Sequence, residues 1–197
     1  MNTPIELCRL SKAYGEKVLF SELSFSFPPN GLVALCGPSG SGKTTLLRIL
    51  AGLEQADGGQ VLGMEEKSVS MAFQQPRLLP RQTALSNLLA VLQGKEQPPA
   101  AQRHAWETLA RFYAAELAQK RTEQLSGGEQ QRVSLARAFA VKSDVVLLDE
   151  PTASMDVALS ERETEQICAF AKQRLVILAS HSAAQLAAAD AKIVLGE

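Results

Sequence analysis

Gly37-Pro38-Ser39-Gly40-Ser41-Gly42-Lys43-Thr44 follows the apolar run Leu32-Val33-Ala34-Leu35-Cys36 and opens onto the helical pattern Thr45-Leu46-Leu47. Strand, glycine-rich turn and helix in that order match G-x-x-x-x-G-K-[ST] in full. Glycines let the backbone fold back with its N–H groups pointing inward, and the helix that starts there adds the positive end of its dipole. The stretch is a cradle for phosphate. Lys43 supplies a point charge for the outer phosphates, and Thr44 offers a hydroxyl to Mg²⁺, a cation that dehydrates reluctantly and bridges phosphate oxygens. Thr45 belongs with the same nucleotide-binding group. A glycine-rich turn that merely joins two elements is the bland alternative, and the flanking strand and helix argue against it. Alone, the loop says only that a nucleoside triphosphate binds; the rest of the chain must choose among the enzymes that use one.

With 197 residues, 46% hydrophobic and 21% charged, the chain can bury a core as one large domain or as a domain with an insertion. A formal charge of -1 gives no broad basic surface, which argues against tight electrostatic binding of nucleic acid as the main task. Cys8, Cys36 and Cys168 lack C-x-x-C spacing, and Met1 to Glu6 has no basic segment leading into an apolar one. Both features point to a reducing cytosol and no export. Cys36, just before the loop, reads as a small buried hydrophobe. No run reaches the ~18 apolar residues of a membrane span, so any membrane role is expected to come through a partner.

Residues 5 to 27 read as short strands, with Leu23, Phe25 and Phe27 alternating with Ser24 and Ser26. Pro28-Pro29-Asn30-Gly31 closes them with a turn. Tyr14 lies between the first two strands, where its ring can stack on a nucleobase or simply cover core; spacing does not separate these. Leu32 to Cys36 has the continuous apolar character of a parallel strand covered on both faces. The next helix is expected to place Leu46, Leu47, Leu50 and Leu53 on one face and to stop near Gly52. Asp57-Gly58-Gly59 and Gly63 punctuate strand candidates up to Phe73, assigned to a second, smaller sheet.

Residues 76 to 124 differ in character. Pro76, Pro80 and Pro98-Pro99 interrupt helical patterns such as Ala101 to Ala118, which reads as a mostly helical insertion. Trp106, Leu109, Ala110 and Tyr113 form its expected packing stripe, and His104 a solvent-side residue. Buried strands follow at Val145 to Asp149 and Leu175 to Ala179, with another candidate at Ile193 to Leu195. Strands alternating with helices predict an α/β fold with chemistry at the carboxyl ends of a mostly parallel sheet.

Asp149 and Glu150 end one such strand, so their carboxylates are expected in the cleft that the phosphate loop borders. Asp149 fits the acid that holds Mg²⁺, and Glu150 a general base that polarises the attacking water. A charged turn leading to Pro151 is the alternative, but adjacent acids there would repel without benefit. His181 follows Leu175 to Ala179 and is expected at the same edge, as a donor to a terminal phosphate or to water. Ser126-Gly127-Gly128-Glu129 forms the S-x-x-E capping box of a helix running to about Ala140. Two glycines and free N–H groups also make it a second phosphate-binding surface. One set of acids with two cradles implies a nucleotide held from two sides, or two nucleotides shared by two copies.

At this point the chain resembles the nucleotide-binding subunit of an ATP-binding cassette transporter, from about Leu7 to Gly196. The residues that carry the resemblance are Gly37 to Thr44, the signature Leu125 to Gln130, Asp149-Glu150 and His181. It implies a phosphate-loop NTPase core with a small antiparallel β subdomain, one cassette over 1–197, and 76–124 as its helical subdomain. It further implies Tyr14 stacking on adenine, Gln74 sensing magnesium, water and the transmembrane partner, and Ala153 to Asp156 contacting a second cassette. For Asp156 the local alternative is a helix N-cap. Two cassettes would pack head to tail, Ser126 to Gly128 of one closing over the γ-phosphate on Lys43 of the other. The implied cofactors are ATP and Mg²⁺. The implied partners are membrane permease subunits, a second cassette and a solute-binding protein, without nucleic acid, on the cytoplasmic face of the membrane. Phe73 to Pro80 looks most like importers of the nitrate, sulfonate and taurine type. Met155 stands where the family has leucine and Ser182 where it has aspartate, and an end at Glu197 implies no regulatory extension. A soluble cassette ATPase acting on nucleic acid or ribosomes is the alternative; the coiled-coil or zinc insertions such proteins carry do not appear here.

Overall fold

The computed structural model describes residues 4–196, so Met1 to Thr3 and Glu197 of the expected 1–197 domain lie outside the described residues. Its elements in chain order are β1 (Glu6–Tyr14), β2 (Lys17–Ser26), β3 (Gly31–Cys36), α1 (Lys43–Leu50), β4 (Gly58–Leu62), β5 (Val69–Ala72), α2 (Ala84–Leu92) and α3 (Pro98–Arg111). They continue with α4 (Gly127–Ala140), β6 (Val145–Asp149), α5 (Val157–Ala171), β7 (Leu175–Ala179), α6 (Ala183–Ala188) and β8 (Ala191–Val194). A parallel sheet runs in the order β5-β6-β7-β3-β8, beside a three-stranded antiparallel sheet, β2-β1-β4. No helix among the described residues is long and apolar enough to cross a membrane.

The apolar strands explain the layering. Side chains alternate across a strand, so Leu32 and Ala34 of β3 join Val146, Leu148, Val176 and Leu178 against the helices on one face. Val33 and Leu35 join Leu147 and Ile177 on the other, with Leu46 and Leu47 of α1 and Leu7, Leu10 and Phe20 of the antiparallel sheet. The parallel register sets Leu35 and Asp149 both opposite Ala179. Consequently the phosphate loop, Asp149-Glu150 and His181 leave one edge of one sheet.

Five expectations are corrected. Leu53 does not share the α1 face: the helix ends at Leu50, Gly52 turns with φ +68°, and Leu53 is exposed. The strand candidates to Phe73 divide, β4 joining the small sheet and β5 the edge of the parallel one, because β5 runs alongside β6. Pro98 and Pro99 start α3 rather than break it, since proline at the first helical positions sacrifices no hydrogen bond. That helix ends at Arg111, not Ala118, where Tyr113 turns to φ +48°. Its buried face is Ala101, Ala105, Thr108 and Leu109, while Trp106 and Ala110 face outward. His104 is partly exposed, its Nδ1 2.7 Å from Glu96.

Helix α5 buries Glu163 completely, and neither carboxyl oxygen has a hydrogen-bond partner. Burial pushes its pKa up to about 8, against the lowering pull of Arg132. A group whose folded pKa lies above its unfolded one favours folding most below the unfolded value, so stability should fall between pH 4.5 and 8. Its size is on the order of a few kcal/mol. Thermal melts over that range should slope downward for the native chain and flatten for Glu163→Leu; parallel curves would contradict the buried, protonated carboxyl.

Candidate functional site

The phosphate loop is held by geometry only glycine tolerates at its first position. Gly37 has φ +138°, and a Cβ there would sit 2.3 Å from the Leu195 carbonyl oxygen. Helix α1 then begins from Gly42 with no side-chain cap, leaving its first N–H groups turned toward the loop. Lys43 is buried at 7% exposure. Its Nζ donates to the carbonyls of Gly37 (2.8 Å) and Pro38 (3.0 Å) and lies 3.2 Å from His181 Nε2. An ammonium has three donors and no acceptor, so this contact requires the imidazole to accept at Nε2 and carry its proton on Nδ1. Among the described residues no carboxylate pairs with Lys43 within 4.0 Å. A buried cation without an anionic partner marks a place where an anion would be stabilised.

Beside it, the Thr44 hydroxyl donates to Asp149 Oδ1 at 3.0 Å. Burial raises the Asp149 pKa, with Thr44 and the charges of Arg48 and Lys43 opposing. Glu150 sits just past β6 with φ +49°, a strained setting for a non-glycine residue. Its backbone is pinned from both sides: its N–H donates to the Ala179 carbonyl at 2.9 Å, and Gln131 Nε2 donates to its carbonyl at 3.4 Å. Its Oε1 lies 3.5 Å from His181 Nε2. Burial raises the Glu150 pKa, and His181 is the first opposing influence.

These groups line a cleft of about 450 Å³ that also takes in Tyr14, Lys17, Ser39, Gly40, Gly42, Thr45 and Gln74. An adjoining hollow of about 690 Å³ continues past Gln74 and His181 to Thr152, Met155 and Ser160. A separate cavity of about 660 Å³ lies at the opposite, amino-terminal edge of the sheet, among Pro4, Phe27 and Arg174. Size therefore does not locate the site; the convergence of charged and hydrogen-bonding groups does. The hydroxyl and carboxylate oxygens of Thr44 and Asp149 are hard donors of the kind Mg²⁺ takes, with the exposed Gln74 amide on the same wall.

Other expected site residues lie elsewhere. Ser126, Gly127 and Gly128 are not among the residues lining this cleft. Both halves of the capping box form: Ser126 N–H donates to Glu129 Oε2 (2.8 Å), and Glu129 N–H to Ser126 Oγ (3.3 Å). The first of these bonds is the main reason the Glu129 pKa is lowered. Gly128 lies against the loop before α5, where a Cβ would meet the Ser154 carbonyl oxygen at 2.7 Å. Asp156 caps α5, its Oδ1 accepting from Leu159 N–H at 2.9 Å. Sequence reasoning passed over Lys17, whose Nζ reaches within 3.0 Å of a Cβ built on Gly40, and Gln131. Neither has a motif of its own; only the folding of β2 and α4 toward the cleft brings them in.

Comparison with known proteins agrees with this geometry. The sulfate/thiosulfate import ATP-binding proteins CysA of Escherichia coli (strain K12) and Burkholderia mallei (strain ATCC 23344) are 40% and 42% identical, each over 77% of this chain. The chain spans about half of those relatives, 46% and 47% of their lengths. The dimeric post-hydrolysis structure of the ATP-binding cassette MJ0796 bound to ADP and Pi superposes with a TM-score of 0.88. It is 26% identical, over 97% of this chain and 94% of that one. The family model described as ABC transporter matches residues 20–153, from β2 through the phosphate loop and signature helix to the carboxylates of the cleft. With two thirds of its length covered by that model, the chain belongs to the ABC transporter family.

Proposed function

We propose that the chain is the ATP-hydrolysing subunit of a multi-subunit membrane importer, acting as one of two cassettes. The observation that carries this reading is the meeting of Lys43, Thr44, Asp149, Glu150 and His181 in one cleft that Ser126 to Gly128 do not line. The site then needs a cover, and a second cassette presenting its own Ser126 to Gly128 supplies one. Residues 76–124 form the helical subdomain that faces the permease subunits, with Gln74 at its root.

In this reading Lys43 and the loop N–H groups bind the β- and γ-phosphates, and Thr44 and Asp149, with Gln74, hold Mg²⁺, which would neutralise phosphate charge. Tyr14 packs against the adenine. Glu150 accepts the proton of the attacking water, and His181, released from Lys43, takes up a solvent proton on Nε2 and then donates toward the terminal phosphate. Asp156, while capping α5, places the preceding Ala153 to Met155 loop at the contact between cassettes. The proposed site is the cytoplasmic face of the cell membrane, reached through the permease subunits, with a solute-binding protein completing the system. The names of the curated relatives support a small oxyanion as cargo. Nitrate, sulfonate and taurine, to which Phe73 to Pro80 pointed, fall in the same chemical class.

Isolating the tagged chain from its native membranes in detergent tests this. A multi-span permease should accompany it, and its ATPase rate should rise when a cognate oxyanion with its binding protein is supplied to reconstituted vesicles. Recovery with ribosomes or nucleic acid and no permease would overturn it.

A further inference from the structure

At one end of the cleft Tyr14 is held by Lys12, Glu54 and Asp57, residues that none of the motifs above includes. Tyr14 is the last residue of β1, at the tip of a hairpin turned by Gly15, and its side chain is half exposed. A ring in that position would swing freely, yet its hydroxyl donates to Glu54 Oε1. Lys12, two residues earlier on the same face of β1, lies with Nζ 5.2 Å from the ring centroid. That ammonium donates to the Gln55 carbonyl (2.9 Å) and Asp57 Oδ1 (3.1 Å) and sits 3.5 Å from Glu54 Oε1. Asp57 Oδ2 in turn accepts from Ala13 N–H at 2.8 Å. The side chains of Lys12 and Glu54 are only 11% and 18% exposed, while Asp57 and Tyr14 stay half in water at the outer edge of the cluster.

Apart from the Lys12–ring contact within β1, each of these contacts joins the hairpin to residues 54–57, the connection that follows α1. Lys43 starts that helix and Leu50 ends it. At 1.5 Å per residue its span is roughly 12 Å. The helix thus sets the distance between the ring and the phosphate loop. We propose that Glu54 is a positioning residue: its bond to the Tyr14 hydroxyl, with Lys12 beneath the ring, locks an aromatic shelf at a fixed distance from Lys43, so that a purine base and its phosphates engage together. This rests on the reading of Tyr14 as the base contact. Glu54 itself does not touch the reacting atoms, so its loss should weaken nucleotide binding and leave the chemical step alone.

ATP hydrolysis and binding of a fluorescent ATP analogue by the full chain test this, using Glu54→Ala, Glu54→Gln, Tyr14→Phe, the Glu54→Ala/Tyr14→Phe double variant and Tyr14→Ala. Glu54→Ala is expected to raise KM for ATP about tenfold with kcat within about twofold, the size of losing one hydrogen bond to a charged group. Glu54→Gln, which still accepts from the phenol, should restore most of it. Tyr14→Phe, which also gives up the hydrogen bond between the phenol and Thr45, should lose at least as much as Glu54→Ala, and adding Glu54→Ala to it should cost nothing further. Competition by tripolyphosphate, which has no base to stack, should be unchanged throughout. Normal ATP affinity in Glu54→Ala, alongside a clear loss in Tyr14→Ala, would overturn the inference and spare the base contact. Normal affinity in Tyr14→Ala would remove both.

Discussion

Lys43→Ala is expected to lower ATP affinity by about a hundredfold, and hydrolysis with it. The lysine is a buried ammonium whose three protons go to two carbonyls and an imidazole, with no carboxylate pairing it. Such a charge is poorly compensated alone and well compensated beside a triphosphate. Charge-assisted hydrogen bonds are worth ~1.5–3 kcal/mol each, so losing two reaches that magnitude. Lys43→Arg should not rescue, because a planar guanidinium cannot replace a compact ammonium cradled by the Gly37 and Pro38 carbonyls. Titration calorimetry on variants with native-like melting checks both. Unchanged affinity in the alanine variant would mean that the loop does not bind phosphate.

The same contacts imply an order of events. The imidazole that accepts from Lys43 at 3.2 Å cannot use that nitrogen to donate to phosphate or to Glu150 at 3.5 Å. In the proposed reading a γ-phosphate draws Lys43 away and frees Nε2, which can then take up a proton from solvent and donate, so binding and the arming of the histidine are linked through one nitrogen.

Much of this was legible in the chain because it is written at short range. The phosphate loop lies within eight residues, and the strands feeding it are unbroken apolar runs, so their parallel pairing follows. What could not be read depends on distant partners. Nothing within Val69–Ala72 says which sheet it joins, and only Val145 to Leu148 running beside it places it in the parallel one. Trp106 looks like core, but the α3 face that packs on α4 is chosen by Ala105 and Leu109, whose small and branched side chains fit that contact. Glu54 and Gln131 are ordinary polar residues until the fold brings Tyr14 and the Glu150 carbonyl to them. Glu163 is the opposite case: its charge predicts a solvated helix face, and the packing of α5 overrides it.

Glu150→Gln should bind ATP with near-native affinity while kcat falls by about 10²–10⁴-fold, the range a general base contributes. Glutamine keeps the side-chain shape, the φ of +49° and the N–H bond to Ala179, so the cleft persists and only the proton acceptor is lost. ATP should therefore hold two copies together without release, seen as a stable dimer by size exclusion in ATP that the native chain forms only transiently. The pH profile separates this from a structural defect. Burial lifts the Glu150 pKa above the ordinary carboxylate range. The native rate should accordingly fall on acidification at a higher pH than an exposed glutamate would dictate, as the base takes up its proton. In Glu150→Gln that acid limb should vanish from the residual rate. Normal turnover in the variant, or an unchanged acid limb, would place the base elsewhere. His181, 3.5 Å away, would be the next group to test.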